Sequence, residues 1–305
     1  MTTAPPDSPT AQETARQWGL SHLGGRPPLR AYLTELWQRR HFALELARSR
    51  FRAKNEADRL GVGWIVLGPL INAAVYGVVF GVVLVSSARP DSYVPFLITG
   101  VFLFQFFAGS LADGARSIIA NRGLVTTLHF PRAVLPFSVV YQQLLNQLWM
   151  VLALLLLVTT SGYFPTVNWL LVAPTLALMT LFNLGVAFVA ARLTIHLRDI
   201  AQLIPFVTRM FFYLSGVFVS MPALLHGRPG WALQVAEANP IYNYITLMRV
   251  SLLGEKAVFA VPGHPDQFFP YDPVKTWLLA VAWGVGMLVV GFLFFWRAED
   301  EYGRE

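Results

Sequence analysis

Six long apolar stretches run through this 305-residue chain, and a single formal charge, Arg209, lies inside them. The stretches cover 63–85, 94–112, 133–160, 167–191, 200–219 and 276–296. Each is long enough to cross roughly 30 Å of hydrocarbon as a helix, the form that satisfies its own backbone where water is absent. The expected fold is therefore an all-α membrane protein with six transmembrane helices. All 17 Asp and Glu residues and all 6 His residues fall outside these windows, with Asp113 and Asp199 at their edges. That distribution removes whole classes of function. A proton-coupled pump wants an ionisable carboxylate or His at mid-depth. A sugar-cleaving site wants placed carboxylates, and a metal site wants clustered His, Cys or carboxylates. Cysteine is absent, so disulfides, thiol nucleophiles and Cys-type zinc sites are excluded.

Orientation follows from Lys and Arg near the ends of the spans. Arg48, Arg50, Arg52, Lys54 and Arg59 precede the first span. Arg116, Arg122 and Arg132 lie between the second and third, and Arg192 and Arg198 between the fourth and fifth. Arg297 and Arg304 follow the sixth. The opposite side carries only Arg89, Arg228, Arg249, Lys256 and Lys275. Both termini are expected in the cytoplasm and segment 220–275 outside. The net charge of +6 is explained by this asymmetry and needs no nucleic acid partner.

Residues 1–28, rich in Pro, Gly, Thr and Ser, are expected to be a disordered tail. They lack the apolar core and cleavage site of a signal peptide. Residues 29–62 form an amphipathic helix and a connector. Leu29, Leu33, Leu36 and Trp37 recur at helical spacing, opposed by Gln38, Arg39 and Arg40. Such a basic helix docks in the headgroup region, or else packs on a neighbour as an ordinary solvated helix. The transmembrane domain is 63–296, and 297–305 is a cytoplasmic tail. In the first span Ala73, Gly77 and Gly81 form a small-residue ladder for close packing, within or between subunits. The third opens with Gln142, Gln143, Asn146 and Gln147, amides that must face protein or water. Between spans five and six, 231–254 is apolar but carries Glu237, the break Asn239-Pro240, and Arg249. It reads as a pair of short re-entrant helices. Residues 255–274, with several Pro, Gly and aromatic residues, read as a structured cap.

A pump needs a motor, and this sequence offers no phosphate-binding loop. The three lysines, Lys54, Lys256 and Lys275, follow Ala53, Glu255 and Val274 rather than Gly. The lone Gly61-Val62-Gly63 reads as a flexible approach to the membrane. Energy for transport must come from a separate subunit gripping the cytoplasmic face, with loop 113–132 as its handle.

On a wheel of 100° per residue, Gln202, Phe206, Arg209, Tyr213, Gly216 and Ser220 share one stripe of the fifth span. A membrane-embedded Arg faces a polar interior, not lipid. Aromatic faces stack on sugar rings and a guanidinium pairs bidentately with phosphate, so the stripe suits a substrate pathway. The alternative is an Arg satisfied by backbone carbonyls at a helix interface. Asn72 and Tyr76, on the face of Pro69, are secondary pathway candidates. Phe96, Phe102, Phe104, Phe106 and Phe107 scatter around the second span as packing or lipid-facing residues.

The stretch from Ser117 through Asn121, Leu124, Phe130-Pro131-Arg132 to Pro136 resembles the coupling region of ABC-2-type permeases, in particular the branch exporting polysaccharides such as O-antigen, teichoic acid and galactan. Arg198-Asp199-Ile200 followed by Tyr213-Leu-Ser-Gly-Val217 resembles that family's approach to its fifth span, although Pro is common where Gly216 stands. Asn239-Pro240 with Arg249 resembles its external re-entrant element. The long leader and Ser215-Gly-Val-Phe218 are similar to mycobacterial-type galactan exporter permeases. The resemblance covers about residues 30–297. It implies a homodimeric permease in the bacterial plasma membrane, bound to two copies of an ATPase that holds ATP and Mg. No cofactor is implied in this chain. The substrate would be a lipid-linked polysaccharide, with membrane lipids around it. Ser117, Asn121, Leu124, Phe130, Pro131, Arg132, His196, Arg198 and Asp199 would couple to the ATPase. Two alternatives stand beside this one: an ABC-2 exporter of drugs or lipids, and a membrane enzyme on lipid-linked sugars using external Glu237, Asp266 and Asp272.

Overall fold

The structure is a computed structural model and describes residues 28–56, 60–79, 92–128, 130–197, 199–261 and 264–299. The expected disorder over 1–27, Gly81 of the small-residue ladder, and Arg198 lie outside the described residues. Helices dominate: α1 (Leu29–Gln38), α2 (Arg40–Glu56), α3 (Gly63–Val78), α4 (Tyr93–Arg116), α5 (Arg122–Thr127), α6 (Val134–Thr160), α7 (Val172–His196) and α8 (Ile200–Leu214). Then come α9 (Met221–Leu224), α10 (Gly230–Ala238), α11 (Pro240–Leu253), α12 (Glu255–Phe259) and α13 (Pro273–Trp296). A small antiparallel hairpin, Ala260–Val261 with His264–Phe268, sits between the last two helices. Among the described residues, four helices are long and apolar enough to cross a membrane: α4, α6, α7 with its preceding 3-10 turn, and α13. Two shorter apolar helices, α3 and α8, occupy the first and fifth expected spans.

Helix α4 is the hub. Most of it is buried against other helices, and Phe96, Phe102, Phe104, Phe106 and Phe107 are all buried. They are packing residues. Around α4 lie α3, α6, α7, α8 and α11. Helices α7 and α13 approach backbone to backbone. A Cβ at Gly185 would overlap the Met287 carbonyl, and one at Gly291 would overlap the Gly185 carbonyl.

A second core lies at the end where α1, α2, α5 and the tail meet. Tyr32, Ala43, Val125, Phe130, Ala133 and Phe295 are among its buried members. The expected single helix over the interface segment is two helices broken at Arg39. On α1, Tyr32 and Leu36 turn inward while Leu33 and Trp37 are exposed one helical step away. The guanidinium of Arg40 lies 4.8 Å from the Trp37 ring centre. Ala43 and Ala47, both buried, let α2 lie close against α6.

The fifth apolar helix ends at Leu214, five residues short of the expected limit. Gly216 takes φ +61, a left-handed conformation open to glycine and closed to proline. The exposed carbonyls of this turn are claimed by α11. The Asn239 side chain accepts from Ile241 N at 3.0 Å to cap α11, and its amide donates to Leu214 O and Ser215 Oγ, both at 3.2 Å. From further along α11, fully buried Arg249 donates to Gly216 O (2.8 Å), Val217 O (2.7 Å) and Phe96 O (3.1 Å). Its guanidinium carbon sits 3.3 Å from the Phe96 ring centre. Gly100 of α4 leaves the space: a Cβ there would stand 2.5 Å from Arg249 Nη2.

Arg249→Met is expected to lower thermal stability of the detergent-purified protein by at least about 1.5–3 kcal/mol, the loss of a hydrogen bond to a charged group. Arg249→Lys, a point charge without the planar fork, should fall between. A thermal unfolding curve for Arg249→Met that matches wild type would show that the clamp is dispensable.

Candidate transport pathway and coupling surface

Helix α8 packs on α4 through Ile204 and Phe212, both buried, and leaves a cavity of about 480 Å3 alongside. The α4 wall is one helical face: Val101, Phe104, Gln105, Ala108, Ala112 and Arg116. Small residues midway along it open the groove. On the α8 side stand Thr208, Arg209 and Phe212, and Tyr76 of α3 closes one wall. Phe212 anchors an aromatic cluster, with ring centres 4.8 Å from Phe104, 5.1 Å from Tyr76 and 4.9 Å from Phe218. The cavity thus has an apolar, aromatic body with two guanidinium groups, an amide and hydroxyls on its rim.

Of the expected pathway residues, the structure brings Tyr76 and Arg209 together on this cavity. Gln202, Phe206 and Tyr213 share the exposed side of α8 with Arg209, and Phe206 is 68% exposed. Asn72 is exposed on α3. Ser220 does not belong to the stripe. The helix stops at Leu214, so the wheel does not extend to Gly216 or Ser220, and Ser220 is buried beside Arg249 at a small internal gap. Phe211, on another face of α8, packs edge-on against Phe107 with centres 5.7 Å apart. Gln105, Arg116, Thr208 and Phe212 were missed as lining residues. Gln105 carried a signal, being a lone amide inside a Phe-rich span; Phe212 carried none.

At the other surface, the connector after α4 turns through a 3-10 element, Ile119–Asn121, into the short helix α5. Ser117, Phe130 and Pro131 are buried, and Leu124 is half-buried on the second core. Phe130 meets Phe42 of α2 edge-on at 5.6 Å. Asn121 donates to Ser117 O at 2.5 Å and accepts from Arg50 Nη2 at 2.7 Å. Arg50 also donates to Ser138 Oγ of α6 at 3.0 Å. Arg132 is engaged inward: its Nη1 donates to Glu299 O at 3.0 Å and lies 3.5 Å from Glu299 Oε1. Glu299 also accepts from Tyr32 Oη (2.9 Å) and from Arg132 N (3.0 Å). Burial pushes the Glu299 carboxyl above its usual range, against the pull of its donors. What α5 presents outward is Arg122, Gly123, Thr126 and Thr127. His196 and Asp199 are exposed at the α7–α8 connector. Arg116 and Ala201 both line the 480 Å3 cavity, so the two connectors leave α4 and enter α8 at the same end.

The amides at the start of α6 are turned inward. Gln143 Nε2 donates to Asp113 Oδ2 at 2.6 Å, and Asn146 Nδ2 to Gln143 Oε1 at 3.1 Å. Glu237 is paired with Lys275 and Asp272 caps α13, so both have structural work. Among the described residues there is no group of three or more His, Cys, Asp or Glu that could hold a metal ion.

Comparison with known proteins adds a family. A family model described as ABC-2 type transporter matches residues 46–253, from α2 to the end of α11. An O-antigen export system permease protein of Klebsiella pneumoniae is 29% identical over 167 residues, covering 54% of this chain and 64% of that protein. The aligned part therefore spans less than two thirds of that relative's length. A protein of the same description from Myxococcus xanthus is 26% identical over 212 residues, 70% of this chain and 80% of its own. A polysialic acid transport protein of Escherichia coli is 23% identical over 200 residues, 64% of this chain and 74% of its own.

Arg50→Leu removes both ties from α2 to the connector and α6. Trypsin cleavage after exposed Arg122 should then accelerate about tenfold, the equivalent of roughly 1.4 kcal/mol of lost protection. Unchanged cleavage would mean that Arg50 does not hold this segment.

Proposed function

The chain belongs to the ABC-2 type transporter family, and on that premise we propose that it is the membrane permease subunit of a bacterial ABC exporter for a lipid-linked polysaccharide. A separate ATPase subunit, holding ATP and Mg, supplies the energy. The observation that carries the reading is the cavity between α4 and α8, with Arg116 and Arg209 on an apolar, aromatic lining. A guanidinium pairs bidentately with a phosphate. Aromatic faces accept sugar rings, and the apolar wall accepts a carrier's hydrocarbon. One lipid-linked sugar would use all three. The relatives described as O-antigen export and polysialic acid transport proteins support a polysaccharide cargo.

In this reading the six apolar helices α3, α4, α6, α7, α8 and α13 span the plasma membrane, with both termini cytoplasmic and α10–α11 re-entrant from outside. An Arg on the exposed side of a membrane helix cannot remain against acyl chains. The face carrying Gln202, Phe206, Arg209 and Tyr213 is therefore covered by a second copy of the chain, and the two stripes enclose the path. Two ATPase subunits grip α5 and the connector around His196, Arg198 and Asp199. Their closure on ATP pushes α5. The push passes through Asn121 and Arg50 into α6, and through Arg132 into the tail of α13. Because both connectors meet α4 and α8 at one end of the cavity, the same motion changes its width.

Two measurements test this. The purified permease alone should hydrolyse no ATP, and ATPase-site-dependent turnover should appear only with its partner. Arg209→Met should cut lipid-linked glycan export and substrate-stimulated hydrolysis about tenfold to a hundredfold, from the loss of one charge-assisted hydrogen bond worth on the order of 1.5–3 kcal/mol. Phe206→Ala and Tyr213→Ala should show related losses, while Leu203→Ala, exposed on the neighbouring flank, should be mild. Normal export by Arg209→Met, or equal damage from Leu203→Ala, would move the path elsewhere.

A further inference from the structure

A second cavity, of about 280 Å3, lies among α10, α11, the end of α12 and the start of α13, and shares no residue with the first. Its character is different. Tyr242 and Tyr271 bring phenol rings to it, and Tyr271 stacks on Phe259 with centres 4.5 Å apart and planes 23° from parallel. Asn243 is buried, and its amide nitrogen is fully used, donating to Glu237 O (2.7 Å) and Asn239 O (3.1 Å). Only its oxygen is left, as an acceptor. Glu237 Oε2 holds Lys275 Nζ at 2.5 Å across the cavity, and exposed Asp272 accepts from Lys275 N through one oxygen, at 3.0 Å. One oxygen of each carboxylate remains unspent by these bonds. The lining is therefore rich in fixed acceptors beside rigid aromatic rings, with one cation already neutralised.

A sugar ring answers that description: several hydroxyl donors around an edge, and a C–H face that lies on an aromatic plane. An anionic ligand does not, because it would meet Asp272 while the one cation among the described lining residues, Lys275, is already paired with Glu237. We infer that this cavity is a second glycan site, taking one or two uncharged sugar residues of a chain emerging on the external side. The placement on the external side rests on the exporter reading and its topology. The site's chemistry also restricts the cargo: a polymer of neutral hexoses or pentoses fits, and one charged at every residue does not. The helices that hold it, α10 and α11, are the ones clamped to the end of α8, so occupancy here stiffens the same turn that ends the pathway helix.

The test uses the permease–ATPase complex in lipid nanodiscs and two probes, a neutral galactose or mannose tetrasaccharide and a sialic acid trimer. Calorimetry or saturation-transfer NMR should detect the neutral probe and not the anionic one. Leu279→Trp fills the cavity without removing a polar group, and Tyr271→Ala removes a ring; each should weaken neutral-probe binding about tenfold or more. Basal ATP hydrolysis and assembly report that the variants fold. Equal binding by both variants, or preference for the sialic acid trimer, would overturn the site. Export of lipid-linked glycan without any probe binding would overturn it while leaving the exporter reading intact. Neutral-probe binding without export would support the site and overturn that reading.

Discussion

A guanidinium with no water to solvate it must be met by carbonyls, and Arg249 organises the fold by meeting that demand from three places at once. Its donors end the turn after α8, at Gly216 and Val217, and hold the first turn of α4 at Phe96. The charge sits against the Phe96 ring in space left by Gly100. Asn239, at the start of the same helix, secures the carbonyl of Leu214, the last residue of α8. The length of α8 follows from this, since Gly216 and Val217 give their carbonyls to α11 instead of to another helical turn. The cavity follows in turn, because α8 is fixed against α4 at the end where α11 grips both.

The apolar stretches made the four long apolar helices among the described residues legible, because hydrocarbon thickness fixes the length of a span and leaves little to tertiary context. The single charge inside them pointed to Arg209, and the structure places it with Tyr76 on one cavity. What escaped detection depended on contacts between distant parts of the chain. Arg50 counted only as one positive residue among several, yet it bonds to Asn121 and Ser138, about 70 and 90 residues away. Glu299 stood in an ordinary charged tail, and nothing local announces that Tyr32 and Arg132 converge on it. Arg132 read as a surface handle for the same reason. Ser220 was misplaced because a helical wheel assumes continuity, and only the left-handed Gly216 breaks it.

The second core gives α5 a mechanical setting. Its inward side, Leu124 and Val125, belongs to the same cluster as Tyr32, Phe130 and Phe295. Its outward side carries short polar residues. A load on α5 therefore enters packed protein, where interiors transmit strain instead of absorbing it. The two polar ties, through Arg50 and through Glu299, distribute that load to α6 and to the end of α13. Helix α8 is tied at the opposite end, through the Arg249 clamp, and its free side is the one carrying Arg209.

The contact between Gly185 and Gly291 has a bearing on how such a chain can change over generations. Most helix pairs are separated by a layer of side chains, and a substitution on one side is absorbed by repacking on the other. Here the layer is missing, and each glycine faces main chain that no neighbouring substitution can shrink. A methyl group at either position can be accommodated only by separating the two helices, and no second substitution at the contact restores the fit. The two positions are thus held by geometry instead of by chemistry. Sequence drift in α7 and α13 has to flow around this joint, leaving a fixed point against which the more loosely framed helices diverge.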